Sequence, residues 1–187
     1  MTPIPERQGT STVRGDVKPS IFLVGFMGAG KTSVGKALSR RLGWAFVDLD
    51  DRIEEQAGRT IEEIFRARGE TAFREMEHAA LRDLCRELRQ SARVVALGGG
   101  AFVQPANLAL IEGLAARTVF LDAPADELLR RCLEQPKTRP LCRDASQFRQ
   151  LYEARLPGYR NAARRIKTEN KDIESVAREV ACSLGIE

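Results

Sequence analysis

The residues with the most chemical content lie near the start of the chain, Gly25-Phe26-Met27-Gly28-Ala29-Gly30-Lys31-Thr32. They fit G-x-x-x-x-G-K-[ST] at every constrained position. Glycine lets the backbone wrap tightly enough for successive N–H groups to face one phosphate, and a helix opening at the end of the loop adds partial positive charge there. The lysine ammonium reaches β- and γ-phosphates, and the threonine hydroxyl is a hard oxygen ligand for Mg²⁺. Gly28, Ala29, Gly30, Lys31, Thr32 and Ser33 are therefore the expected ATP contacts, Lys31 is also a catalytic candidate, and Thr32 is a metal ligand. The motif has meaning only between a strand and a helix. It has that context here. The apolar run Ile21-Phe22-Leu23-Val24 precedes it, and Val34, Ala37, Leu38 and Leu42 follow at helical spacing.

Two more groups of residues close apolar runs. Asp48-Leu49-Asp50 follows Ala45-Phe46-Val47, and Gly98, Gly99 and Gly100 follow Val94-Val95-Ala96-Leu97. A carboxylate at a strand end beside a phosphate loop can orient an attacking hydroxyl and take its proton. Two solvated aspartates are the alternative. A glycine run lets backbone approach a ligand closely, or simply makes a tight turn. Residues 135–145 are polar and basic, with two prolines and no periodicity, as in a mobile functional loop. Most arginines, including Arg66, Arg68, Arg82, Arg86 and Arg89, read as solvated helix charges. His78, the single histidine, reads as a surface residue of a helix.

The elements that must position these groups alternate. Strands are expected at 21–24, 45–47, 94–97 and 118–121, with a fifth around 165–168. Thr60 and Glu63 have capping-box spacing and open a short helix, and a longer one after Gly69 carries Phe73, Met76, Ala80, Leu84 and Leu88 on one face. Further helices are expected around 108–114, 128–132, 148–156 and 173–184. Alternation of this kind implies an α/β three-layer sandwich: a parallel sheet of about five strands, helices on both faces, and ligands at the strand C-termini.

With 187 residues, one domain over 19–187 is expected after a flexible polar tail at 1–18, which lacks the apolar core of a signal peptide. Four scattered cysteines without a C-x-x-C pair suit free thiols in a reducing cytoplasm. No apolar run is long enough for a membrane span. A net charge of +4 without aromatic interleaving suits small anions and gives no support to nucleic acid. A GTPase is disfavoured. The chain has no D-x-x-G, and Asn170-Lys171-Asp172 places its aspartate one residue early for N-K-x-D.

Beyond the loop, an ordered series resembles the shikimate kinase family from about residue 21 to 166. After Gly25 to Thr32 come Asp48-Leu49-Asp50, then Gly69-Glu70-Thr71-Ala72-Phe73-Arg74. Gly98-Gly99-Gly100, Arg139-Pro140-Leu141 and Arg155-Leu156-Pro157-Gly158-Tyr159 complete it. The resemblance implies a P-loop kinase with a mobile lid at about 135–145, which phosphorylates the 3-hydroxyl of shikimate with Mg-ATP. Asp48 would support Mg²⁺ beside Thr32, and Asp50 would contact the substrate hydroxyls as a catalytic residue. Arg74, Arg155 and the Gly99 N–H would hold the substrate carboxylate. Arg139 would close over ATP with the lid and stabilise the transferring phosphoryl group. Gly158 departs from the family, which has leucine there, and is expected to loosen the turn that aims Arg155. The expected partners are shikimate and ATP, with a monomeric protein and no nucleic acid or membrane. Other small P-loop kinases, acting on a nucleoside monophosphate or gluconate, and a non-catalytic ATP switch are the competing readings.

Overall fold

The computed structural model describes residues 20–114, 116–134 and 144–186. The chain runs β1 (Ile21–Val24), α1 (Lys31–Leu42), β2 (Ala45–Asp48), α2 (Leu49–Ala57), α3 (Ile61–Leu88) and β3 (Arg93–Ala96). A 3₁₀ turn (Ala101–Val103) leads to α4 (Pro105–Glu112), β4 (Arg117–Asp122), α5 (Ala125–Leu133), α6 (Ala145–Tyr159), β5 (Arg164–Lys167) and α7 (Ile173–Ser183). The strands form one sheet in the order β2-β3-β1-β4-β5, and every adjacent pair is parallel. Parallel strands need both faces covered, so they read as unbroken apolar runs instead of alternating ones. All four β1 residues are buried, and Val94, Val95, Val119, Phe120 and Leu121 flank them in the core. The two edge strands are the exceptions: β2 has no buried residue, and β5 has one. The latter reads Arg-Arg-Ile-Lys and buries only Ile166.

The first crossover carries the chain from β1 to β2 on one side, and β4 and β5 later fill the other side. The order therefore reverses around β1. Ligands of open α/β sheets bind outside the strand C-termini at that reversal. All the glycine turns and the paired aspartates lie there.

The Thr60 and Glu63 capping box forms as expected. The Glu63 N–H donates to the Thr60 hydroxyl at 3.2 Å, and the Thr60 N–H donates to the Glu63 carboxylate at 2.8 Å. Two expected helices merge into α3, whose dihedrals break at Gly69 (φ 76°, ψ 179°). Only that residue departs from helical geometry, and a positive φ is what glycine tolerates. A second difference concerns 157–159, which follow the helix expected around 148–156. These residues form the last turn of α6, with Pro157 inside the helix. Gly158 is the reason they can pack there. A Cβ at that position would lie 2.6 Å from Val103 Cγ1, so the helix comes closer to the 3₁₀ turn than any other residue would allow.

Among the described cysteines, Cys85 and Cys132 are buried and Cys182 is exposed. Cys142 lies outside the described residues. No described helix is long and apolar enough to cross a membrane.

Candidate active site

The phosphate loop links β1 to α1 in the expected way. Its backbone turns through positive φ at Gly25, Gly28 and Gly30. Gly28 is tied down from behind: a Cβ there would sit 2.6 Å from the Leu128 carbonyl oxygen and 3.0 Å from Cys132 Sγ, so α5 braces the loop. Lys31 leaves the first turn of α1 and folds back over the loop. Its ammonium donates to the carbonyls of Gly25 at 2.9 Å and Phe26 at 3.0 Å. Ala29 is buried, Gly28 and Gly30 are half-buried, and Ser33 is exposed on α1.

The Thr32 hydroxyl donates to Asp48 Oδ2 at 2.6 Å, which brings the two expected metal ligands together. The other Asp48 oxygen accepts the Asp50 N–H at 3.0 Å and caps α2. One carboxylate thus has one oxygen fixed by the helix it starts and the other directed at the phosphate loop. The donor set fits Mg²⁺, which prefers hard oxygens and takes one or two protein ligands with phosphates and water. Among the described residues no cluster of three or more His, Cys, Asp or Glu could hold a metal ion.

Asp50 stands in the first turn of α2 and points at the next glycine turn. A Cβ on Gly98 would lie 2.3 Å from Asp50 Oδ1 and 3.3 Å from Glu77 Oε1. A Cβ on Gly100 would lie 2.6 Å from both terminal nitrogens of Arg74, and one on Gly99 would lie 3.6 Å from Arg155 and 3.8 Å from the Met27 N. The three glycines therefore face α2, α6 with the phosphate loop, and α3 in turn. Any side chain at 98 or 100 would displace a charged group of the site.

Arg74 is held on two sides. Its Nη1 donates to both Glu77 oxygens at 3.1 and 3.0 Å, and its Nε and Nη2 donate to Glu70 at 3.3 and 3.1 Å. Glu77 is 1% exposed. Burial pushes its carboxyl above the usual range, and the Arg74 guanidinium acts against that shift. Arg155 lies over the Phe26 ring, 5.9 Å from its centroid. The Tyr159 hydroxyl, one turn later on α6, donates to the Gly99 carbonyl, and its ring stacks on Phe120 at 5.4 Å.

On the far side of the loop, Arg131 of α5 donates to Thr168 Oγ1 and to its carbonyl at 3.1 and 2.9 Å. The Thr168 N–H donates to Asp122 O at 2.8 Å, so the segment after β5 is fixed beside the phosphate loop.

The structure gathers Lys31, Thr32, Asp48, Asp50, Arg74, Gly99 and Arg155 around one turn. Arg139 lies outside the described residues, as does most of the expected lid. His78 differs from the expected surface residue. It is half-buried, and its Nδ1 lies 2.8 Å from Asn107 Oδ1, while Asn107 donates to the Ala101 carbonyl at 3.1 Å. It ties α3 to α4 behind the glycine turn. Sequence reasoning passed over Glu77 and Tyr159. Glu77 lies three residues after Arg74, so on a helix it shares that face, and Tyr159 closes a motif quoted for its arginine.

The family model described as shikimate kinase matches residues 27–184. The shikimate kinase of Dehalococcoides mccartyi is 41% identical over 167 residues, 88% of this chain and 92% of that protein. That of Geobacter sulfurreducens is 43% identical over 165 residues, 87% and 88% of the two. A solved structure described as shikimate kinase from Acinetobacter baumannii in complex with shikimate aligns with a TM-score of 0.81 at 36% identity, covering 90% of this chain and 94% of that one. With a family model across most of its length and relatives at this identity, the chain belongs to the shikimate kinase family.

Proposed function

We propose that this chain carries out its family's reaction, the phosphorylation of shikimate by ATP, at the 3-hydroxyl and with the residue roles that follow. The observation that carries the assignment is the turn at 98–100. One glycine touches the phosphate loop and Arg155, and its neighbours abut Asp50 and Arg74, so acceptor and phosphoryl donor meet across a single turn.

Lys31 and the loop amides bind the β- and γ-phosphates, and Lys31 neutralises charge as the phosphoryl group leaves ADP. Thr32 and Asp48 are the residues that would hold Mg²⁺, which would neutralise phosphate charge when bound. Arg74 and Arg155 converge on the acceptor carboxylate, where a guanidinium donates two parallel hydrogen bonds. The Gly99 N–H adds a third donor that no side chain obstructs. Asp50, beside Gly98, orients the hydroxyl and accepts its proton as its oxygen bonds phosphorus. Glu77 shares Arg74 and fixes its rotamer from a site that water does not reach. We assign Arg139 to closure over ATP, residues 19–187 to one kinase domain after a 1–18 tail, and the protein to a monomer acting in the cytoplasm with no nucleic-acid or membrane partner.

ADP release, measured with Mg-ATP alone and with shikimate, gluconate or AMP added, tests the reading. Turnover is expected with shikimate and with neither other acceptor. ATP binding without shikimate-dependent ADP release would contradict it.

A further inference from the structure

The backbone at 98–101 forms a β-turn closed by the Ala101 N–H, which donates to the Gly98 carbonyl at 3.1 Å. Its two central residues are Gly99 and Gly100. Gly100 has φ −106° and ψ −14°, the third-residue geometry of a type I turn. Type II differs by a flip of the peptide between the two central residues and needs a positive φ at the third, which glycine supplies at no steric cost. A Gly-Gly centre therefore leaves both states open. The flip would reverse the Gly99 carbonyl and the Gly100 N–H. The Gly99 carbonyl faces Tyr159 of α6, and the Gly100 N–H points the opposite way across the same peptide, while the Gly99 N–H belongs to the preceding peptide and is not reversed.

The state is chosen by the Tyr159 hydroxyl, which donates to the Gly99 carbonyl. Tyr159 is fully buried, and its ring is clamped on Phe120, so the donor has a fixed position. Burial pushes its phenol up to about 12, so it remains a protonated donor throughout the working range, with Arg155 only partly offsetting the rise. Tyr159 and Arg155 stand one turn apart on α6. The element that brings an arginine to the acceptor thus also sets the turn opposite that arginine.

We propose that Tyr159 is a positioning residue for the acceptor: its hydroxyl holds the 98–101 turn in its type I state, which keeps the Gly99 carbonyl turned toward α6 and away from the carboxylate that the Gly99 N–H and Arg155 bind. Without that bond the half-buried Gly99 carbonyl loses its partner and the flipped state becomes populated. Apparent acceptor affinity then falls with the fraction of competent turn.

The proposal rests on the shikimate reading, and its test has one arm independent of it. In Tyr159→Phe, the KM for shikimate is expected to rise about tenfold, with kcat and the KM for ATP within about twofold. Amide exchange at 99–101, followed in the ligand-free protein, is expected to quicken about tenfold while the rest of the sheet is unchanged. Phe120→Leu, which loosens the ring but keeps the hydroxyl, is expected to lower the melting temperature and to raise the KM for shikimate by less than Tyr159→Phe does. An unmoved KM in Tyr159→Phe, or an equal rise in Phe120→Leu, would overturn the proposal. If the wild-type protein turns over no shikimate, the activity reading has failed, and the exchange data decide alone. Unchanged exchange at 99–101 would then overturn it.

Discussion

The two halves of the site are made of different material. On the phosphate side, the loop at 25–30 presents backbone, and α5 braces it at Gly28. Its single long side chain, Lys31, lies along the loop's own carbonyls. On the acceptor side, Asp50, Arg74 and Arg155 come from α2, α3 and α6, and each is held by another side chain, a ring or a helix cap. A phosphate is met by a surface of amides fixed in one continuous segment. A carboxylic acid with hydroxyls needs charged groups from several directions. The phosphate half should therefore break through backbone changes and the acceptor half through side chains and their supports.

The largest effect on binding is expected from Gly28→Ala. A φ of +81° strains any other residue, and the added Cβ would strike the Leu128 carbonyl at 2.6 Å. Strain and backbone displacement together cost roughly 3–5 kcal/mol, which weakens ATP binding by about a hundredfold or more. Shikimate binding, measured by calorimetry without nucleotide, should change less than about threefold. Equal loss on both sides would dissolve the distinction.

Arg155→Lys is next. It keeps the charge and removes the fork, so a bidentate pair becomes a point contact. The KM for shikimate should rise roughly tenfold to thirtyfold, or about 1.4–2 kcal/mol, while the KM for ATP stays put in steady-state assays.

Glu77→Gln sharpens the comparison through pH. Burial holds the Glu77 carboxyl above its ordinary value of 4.5. The folded protein then keeps a proton that the unfolded chain has released, so wild-type stability falls as pH rises from 4.5 through the raised value. Glutamine carries no such proton. Thermal melts should show the mutant gaining on the wild type between pH 4.5 and the raised value, and above that value the mutant lacks the charged partner of Arg74. A constant difference would mean that Glu77 is not raised.

Gly158→Ala has the smallest expected effect. Alanine favours a helix interior by about 1 kcal/mol, but its Cβ would press on Val103 Cγ1 at 2.6 Å. Overpacking of roughly 1–3 kcal/mol should win. In a Val103→Ala background the sign should reverse, and denaturant melts of the four proteins measure the coupling.

The same division explains what could be read in advance. The phosphate half is contiguous, so Gly25 to Thr32 carried both its chemistry and its strand-to-helix setting. The central strands β1, β3 and β4 were legible because a parallel sheet buries whole apolar runs. Even β5 was located, though Ile166 is its only buried residue. The acceptor half was reached through a family resemblance, because nothing in spacing alone brings residues 50, 74, 99 and 155 together. Glu77 was missed because its importance comes from burial, which one acid on a mostly polar helix does not advertise. His78 was misjudged for the same reason, since its partner Asn107 comes from another helix. The helical course of 157–159 was hidden by Pro157 and Gly158. Both read as turn residues, whereas close packing on Val103 makes the glycine fit a helix.

The central claim is that acceptor chemistry and phosphate binding are separate structures joined at one glycine turn, with Asp50 on the acceptor side. Asp50→Asn tests it most directly, since the amide keeps the shape of the side chain and cannot take the hydroxyl proton. Shikimate-dependent ADP release should fall roughly 10²- to 10⁴-fold in kcat, while ATP affinity, measured on the same preparation, stays within about twofold. Retained turnover, or a parallel collapse of ATP binding, would contradict it.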